Sequence, residues 1–141
     1  MAPERFFFDT NILFYALDRA AGEKNVVAAA WVRKAWGGEL IPFISVQVLQ
    51  ELFVNLTRKL PATGEARAIV MDYLAWQVVE NDRRLFVDAL EVKDRFQLSF
   101  WDASIVAAAQ ASRATVLMTE DLSHGQYFGP LKVMNPFITD S

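Results

Sequence analysis

The sequence predicts an α/β fold of three layers, α/β/α, with a central, mostly parallel sheet. Three observations predict it. Short apolar runs at Arg5–Phe8, Leu40–Ser45 and Thr115–Thr119 alternate with longer segments of helical period, as in βα units. The runs Phe6–Phe8 and Val116–Met118 have no polar residue between them, which suits strands covered on both faces. The chain has 141 residues and is 53% hydrophobic, enough for the core of one domain spanning 1–141.

The elements follow in order. Arg5–Phe8 reads as the first strand, aromatic and bounded by polar residues. Asn11 to Ala20 has helical spacing through Ile12, Leu13, Tyr15 and Ala16, and Ala21-Gly22-Glu23 breaks it. Val26 to Trp36 is an alanine-rich helix with Arg33 and Lys34 near its end, where cations suit the helix dipole. Gly37-Gly38 stops it. Leu40–Ser45 is the second strand, and Pro42 predicts an edge or irregular position. Ser45 caps a helix from Val46 to Leu60 with an apolar face of Val46, Leu49, Phe53, Leu56 and Leu60, ended by Pro61. Gly64 to Gln77 is the fourth helix and Gln77–Glu80 a short strand. Arg84 to Phe96 and Trp101 to Ser112 are the fifth and sixth helices. Thr115–Thr119 is a central strand and Lys132–Met134 the last one. There is no repeat, low-complexity tract or linker.

Composition removes several function classes. With no cysteine, there is no disulfide framework, thiolate zinc site or cysteine nucleophile. His124 is the only histidine and builds no zinc site of the usual type. Ser104 and Ser123 lack a His–Asp arrangement, and there is no P-loop or glycine-rich dinucleotide turn. No segment reads as a signal peptide or a membrane span, so a soluble cytoplasmic protein is expected.

Four acidic residues stand where elements begin or end: Asp9, Glu51, Asp102 and Asp121. In an open α/β sheet the carboxyl ends of the strands gather at one edge, where ligands bind. Carboxylates collected there repel one another and call for a cation. Oxygen ligands suit Mg²⁺ or Mn²⁺, which points to metal-assisted phosphodiester chemistry. The formal charge of −3 becomes +1 when these four are set aside, so acidity alone does not exclude a nucleic-acid partner.

Each residue also has a plainer reading. Asp9 can cap the helix near Asn11, and Ser99 or Asp102 can cap the helix at Ala103. Glu51 can be a solvated side chain beside Gln47, Asn55 and Arg58. Asp121 can be a loop aspartate, with Glu120 as its rival for the site. Asn11 and Thr119 are expected to orient the carboxylates, and Thr10 and Ser45 are similar candidates. Trp101 is expected to anchor its turn in the core. Trp31, Trp36 and Trp76 are expected, like Trp101, to be core or helix-packing residues by their spacing.

The order Phe-Phe-Asp9-Thr-Asn11, Glu51 in Val-Leu-Gln-Glu-Leu, Phe-Trp-Asp102-Ala and Met-Thr-Glu-Asp121-Leu resembles the PIN domain. In particular it resembles the compact VapC-like toxins of bacterial toxin–antitoxin pairs, over essentially the whole chain. The resemblance implies a PIN-like parallel sheet between helices, a Mg²⁺ or Mn²⁺ site and ribonuclease activity on RNA. It implies Asp9, Glu51 and Asp102 as the main acidic group, completed by Asp121. Asp9 and Asp102 would be direct ligands, and Glu51 a ligand or the group that positions water. It also implies a homodimer and a cognate small antitoxin that places a basic side chain near the pocket. Glu120 beside Asp121 leaves the fourth carboxylate open. Arg58, Lys59, Lys93, Arg95 and Arg113 are candidate phosphate contacts.

Two other classes compete. A non-catalytic RNA- or partner-binding module on the same fold has no evident need for mutually repelling carboxylates. A phosphotransfer domain would use one strand-end Asp. The phosphatase type wants a second Asp where Asn11 stands, and the receiver type wants an early acidic pair and a lysine after a late strand. This sequence has Lys132 within the last strand.

Overall fold

The computed structural model describes residues 3–60 and 64–138. In chain order the elements are β1 (Arg5–Phe8), α1 (Thr10–Leu17), α2 (Glu23–Trp36), β2 (Ile41–Ser45), α3 (Val46–Lys59), α4 (Glu65–Tyr73), β3 (Gln77–Val79), α5 (Arg83–Phe96), α6 (Phe100–Ala111), β4 (Val116–Met118), β5 (Tyr127–Phe128) and β6 (Leu131–Met134). A 3₁₀ turn at Arg19–Ala21 separates α1 from α2.

The sheet has the order β3-β2-β1-β4-β6-β5. All neighbours run parallel except β5, which returns antiparallel on β6. Strands β2 and β3 lie to one side of β1, and β4 and β6 to the other. The order therefore reverses between β1 and β4, and in such a sheet the crevice beyond the carboxyl ends at that reversal is where ligands bind. The register pairs Phe8 with Met118, so Asp9 and Thr119 are the next residues beyond two adjacent strand ends.

Successive strand side chains point to opposite faces. Phe6, Phe7 and Phe8 are all buried, as are Val116, Leu117 and Met118. Helices therefore cover both faces of the central strands. On one face Phe6 stacks on Trp31 of α2 and Phe8 meets Trp76, with ring centroids 5.5 and 5.2 Å apart. Helix α6 buries every residue from Ala103 to Ala109. Its alanines and Ser104 let a helix enter the core without steric conflict. Full burial of a Phe, Leu or Ile side chain contributes about 1.5–3 kcal/mol, and Phe7, Phe8 and Leu117 of the central strands are fully buried.

Several local expectations change. Helix α1 is shorter than its apolar spacing suggested, because the Asp18 carboxylate accepts from Ala20 N and opens the 3₁₀ turn. Helix α4 ends at Tyr73 rather than Gln77. The expected stop at Pro61 lies outside the described residues. Strand β2 is internal, yet Pro42 is tolerated for a local reason. The Ile41 N–H donates to Glu4 O on the β1 side, and β3 pairs only from Phe43 onward. The missing N–H of Pro42 therefore faces no strand. The buried stripe of α3 is Val48, Leu52 and Leu56, while Phe53 is exposed. Strand β5 is too short to leave a periodic signal. Among the described residues no helix is long and apolar enough to cross a membrane.

Candidate active site

Asp9 follows β1 directly and caps α1, and the capping and site readings coexist in one side chain. Its Oδ1 accepts the Thr10 N–H at 2.7 Å. Its Oδ2 accepts from Thr119 Oγ1, just beyond β4, at 2.8 Å. The Thr119 hydroxyl oxygen in turn accepts the Asp121 N–H at 3.0 Å. One threonine therefore bonds the Asp9 carboxylate and the Asp121 backbone across two adjacent strand ends.

Asp121 Oδ2 accepts from Asn11 Nδ2 at 2.9 Å. Glu51, in the second turn of α3, has its Oε1 bonded by Thr10 Oγ1 at 3.1 Å and approached by Gln47 Nε2 at 3.4 Å. Asp102 sits in the first turn of α6, and Ser99 rather than Asp102 supplies the cap, accepting the Asp102 N–H. The Asp102 carboxylate is thus not spent on capping. Ser45 accepts from Val48 N and serves α3 as its cap.

Electrostatics link the four groups. Asp9 is buried, and its carboxyl is pushed up to about 7. Burial is the main cause. The bonds from Thr119 and Thr10 oppose the rise, and the charges of Asp121 and Glu51 add to it. Asp121 is also raised, by burial first and then by the charge of Asp102, against the bond from Asn11. Each of the four therefore either raises a partner or is raised by one. Among the described residues none of them has a lysine or arginine partner.

Glu120 is held elsewhere. Its Oε1 accepts from Tyr15 OH at 2.6 Å and its Oε2 from Lys24 Nζ at 2.7 Å. Burial would raise its carboxyl, but Lys24 and Tyr15 together bring it below its usual range. Lys24 also lies over the rings of Tyr15 and Phe137, which ties this corner together. The neighbouring carboxylates thus point to different partners, Glu120 to Lys24 and Asp121 to Asn11.

Among the described residues no three acidic or histidine side chains converge closely enough to hold a cation as they stand. The donor chemistry still fits a hard divalent ion. All the candidate donors are oxygens, and Asn11 Oδ1 is buried with no hydrogen-bond partner. A buried acceptor left unpaired costs about 1–3 kcal/mol, and a cation or its bound water would satisfy it.

Sequence reasoning misplaced one neighbour and overlooked the clamp on Glu120. Trp101 does not anchor the core, because its side chain is 65% exposed beside Asp102. Gln47 touches Glu51, and the Tyr15–Lys24 clamp selects among the late carboxylates; only the spatial neighbourhood of α1, α2 and the β4 loop shows this. Of the basic candidates, Lys59 pairs with Asp18, Arg95 lies over Phe96, and the Arg113 carbonyl accepts from Arg5. His124 is exposed and its Nδ1 accepts from Asn135 N.

The fold is similar to several solved structures. One is a toxin–antitoxin complex from Klebsiella pneumoniae, 22% identical over 93% of this chain and 97% of that one, with TM-score 0.65. Another is DNA-bound VapBC from Salmonella typhimurium, 19% identical over 94% and 98%, with TM-score 0.67. A third is VapC20 of Mycobacterium tuberculosis, described as a Sarcin-Ricin loop cleaving toxin, 18% identical over 79% and 86%, with TM-score 0.61. No curated protein matches the chain significantly. The family model of the PIN domain matches residues 6–127, most of the sequence, and the chain belongs to the PIN domain family.

Proposed function

We propose that this protein is a divalent-metal-dependent ribonuclease and the toxin of a toxin–antitoxin pair. One observation carries the reading: the charges of Asp121 and Glu51 add to the rise of the buried Asp9, the charge of Asp102 adds to that of Asp121, and among the described residues none of the four has a lysine or arginine partner. The toxin names of the structural neighbours support the same reading.

Asp9 and Asp102 would hold Mg²⁺ or Mn²⁺, with Glu51 as a further ligand or the group that positions water, and Asp121 completing the set. The bound ion would supply a water of lowered pKa and charge stabilisation at the departing oxygen. Thr119 and Thr10 hold Asp9 and Glu51 in place, and Asn11 holds Asp121. No protein nucleophile is needed, which suits a chain with no cysteine, whose single histidine accepts from the Asn135 N–H at Nδ1.

Partners belong to the same proposal: an RNA substrate, a second copy of the chain and a small antitoxin. An apolar depression lined by Leu17, Trp36, Ile69 and Tyr73 gives the antitoxin a surface to cover. The deciding assay is cleavage of a labelled RNA mixture by purified protein with Mg²⁺, with Mn²⁺ and with EDTA, beside Asp9→Asn. Cleavage that needs the metal and is lost in the variant is expected. Equal cleavage in EDTA or by Asp9→Asn would sink the proposal. A folded protein that binds RNA but neither binds metal nor cleaves would favour the non-catalytic module.

A further inference from the structure

Trp101 is the most exposed of the four tryptophans by a clear margin over Trp36, which is 48% exposed. It occupies the first turn of α6 and precedes Asp102. Its indole is steadied edge-on by Phe100, with ring centroids 5.2 Å apart, and Phe100 is steadied in turn by Phe86 at 5.8 Å. The Trp101 carbonyl is approached by Gln47 Nε2 at 3.5 Å, and the same amide nitrogen reaches Glu51. Gln47 therefore bridges the tryptophan turn and the carboxylate site.

The indole borders a depression of about 370 Å³ lined by Gln47, Gln50, Glu51, Val54, Asn55 and Trp101. That is room for a small ligand. The composition of the wall tells which kind. A protein helix laid on this surface would want an aliphatic rim. Here three carboxamides and the Glu51 carboxylate stand beside one aromatic face, with Val54 as the only aliphatic side chain of the lining. Carboxamides carry donors and acceptors together, and a nucleobase offers both along its edge and a π face for stacking. We infer that Trp101 is the stacking platform for an unpaired nucleobase next to the scissile phosphate, with Gln47, Gln50 and Asn55 facing the edges of that base. The inference rests on the ribonuclease reading for the identity of the scissile phosphate.

The platform accepts only an unstacked base. A base within a duplex is already stacked on both sides and cannot lie on an indole. The site therefore takes looped or single-stranded RNA, where unstacked bases are available to aromatic side chains.

The test is binding of a labelled single-stranded RNA oligonucleotide, and of the same sequence fully paired, measured by fluorescence anisotropy in Ca²⁺ and in EDTA. Stacking on one aromatic side chain typically changes affinity about fivefold to a hundredfold. Trp101→Leu is expected to weaken single-strand binding by that factor, Trp101→Phe to retain most of it, and duplex binding to change in neither. The position is exposed, so both variants should keep the wild-type thermal transition. Equal single-strand affinity in wild type and Trp101→Leu overturns the inference, as does a wild type that binds no single strand. A fall in solution mass in Trp101→Leu also overturns it, by placing the indole in a protein contact. Metal-dependent cleavage is scored separately. Wild-type cleavage with unaltered Trp101→Leu binding would leave the ribonuclease and remove the platform. Trp101-dependent binding without cleavage would leave the platform and remove the ribonuclease.

Discussion

Thr119 Oγ1 donates to Asp9 Oδ2 at 2.8 Å, joining the ends of the two central strands through a single hydroxyl. The same oxygen accepts from Asp121 N, so the hydroxyl is used in both directions. Thr119 is fully buried, and no water competes for either bond. Thr119→Val keeps the side-chain shape and removes the hydroxyl. It would leave a buried carboxylate oxygen short of a donor and the Asp121 N–H short of an acceptor. A loss of about 1–3 kcal/mol is expected for such unpaired groups, read as a lower denaturation midpoint at unchanged m-value. Cleavage should fall as well, because Asp9 and Asp121 lose their common anchor. Unchanged stability would show that the hydroxyl is dispensable.

The Asp9 carboxyl gives a pH signature in metal-free buffer. Its pKa rises from 3.8 to about 7 on folding, chiefly through burial. Below the lower value both states hold the proton. Between the two values only the folded state holds it, so the folded state binds more protons and stability falls as pH rises. Above about 7 the contribution is flat. A tenfold change in proton affinity corresponds to about 1.4 kcal/mol, which bounds the loss across this window at a few kcal/mol. Asp9→Asn should remove that slope and be more stable than wild type at pH 8 in EDTA. A wild type whose extra slope over Asp9→Asn has the opposite sign would contradict this environment for Asp9.

Glu120 and Asp121 are adjacent, but their contacts separate them. Glu120 is held by Tyr15 and Lys24, and Asp121 by Asn11. Asp121→Asn should reduce RNA cleavage by about 10–100-fold, the range for groups that support a metal site. Glu120→Gln keeps a carbonyl oxygen for Tyr15 and should cost much less. The reverse order of the two rates would move the fourth carboxylate to Glu120.

The parts of this molecule that were legible in advance share a physical basis. Phe6–Phe8 and Val116–Met118 signal central strands because burial on both faces needs apolar residues at consecutive positions. Ser45 and Gly37 mark helix ends because caps are local chemistry. Asp9 and Asp121 stood out by following apolar strands, and the pairing of β1 with β4 brings those two strand ends together. What was not legible depends on distant partners. The Tyr15–Glu120 bond spans segments remote in sequence, and nothing in Glu120-Asp121 shows which carboxylate it takes. Trp101 reads as a core residue by type, yet helix phase turns it outward while Ala103 to Ala109 take the interior. Pro42 reads as an edge residue because the sequence does not reveal that β3 pairs only from Phe43 onward.

The central claim is that these carboxylates form one cation site. Titration of Mn²⁺ into metal-free wild type, Asp9→Asn and Asp102→Asn by calorimetry tests it most directly, at a pH above 7 where Asp9 is ionised. Saturable binding to wild type is predicted, with at least about a tenfold weaker affinity in each variant, about 1.4 kcal/mol or more. Equal Mn²⁺ affinity in all three folded proteins would contradict it.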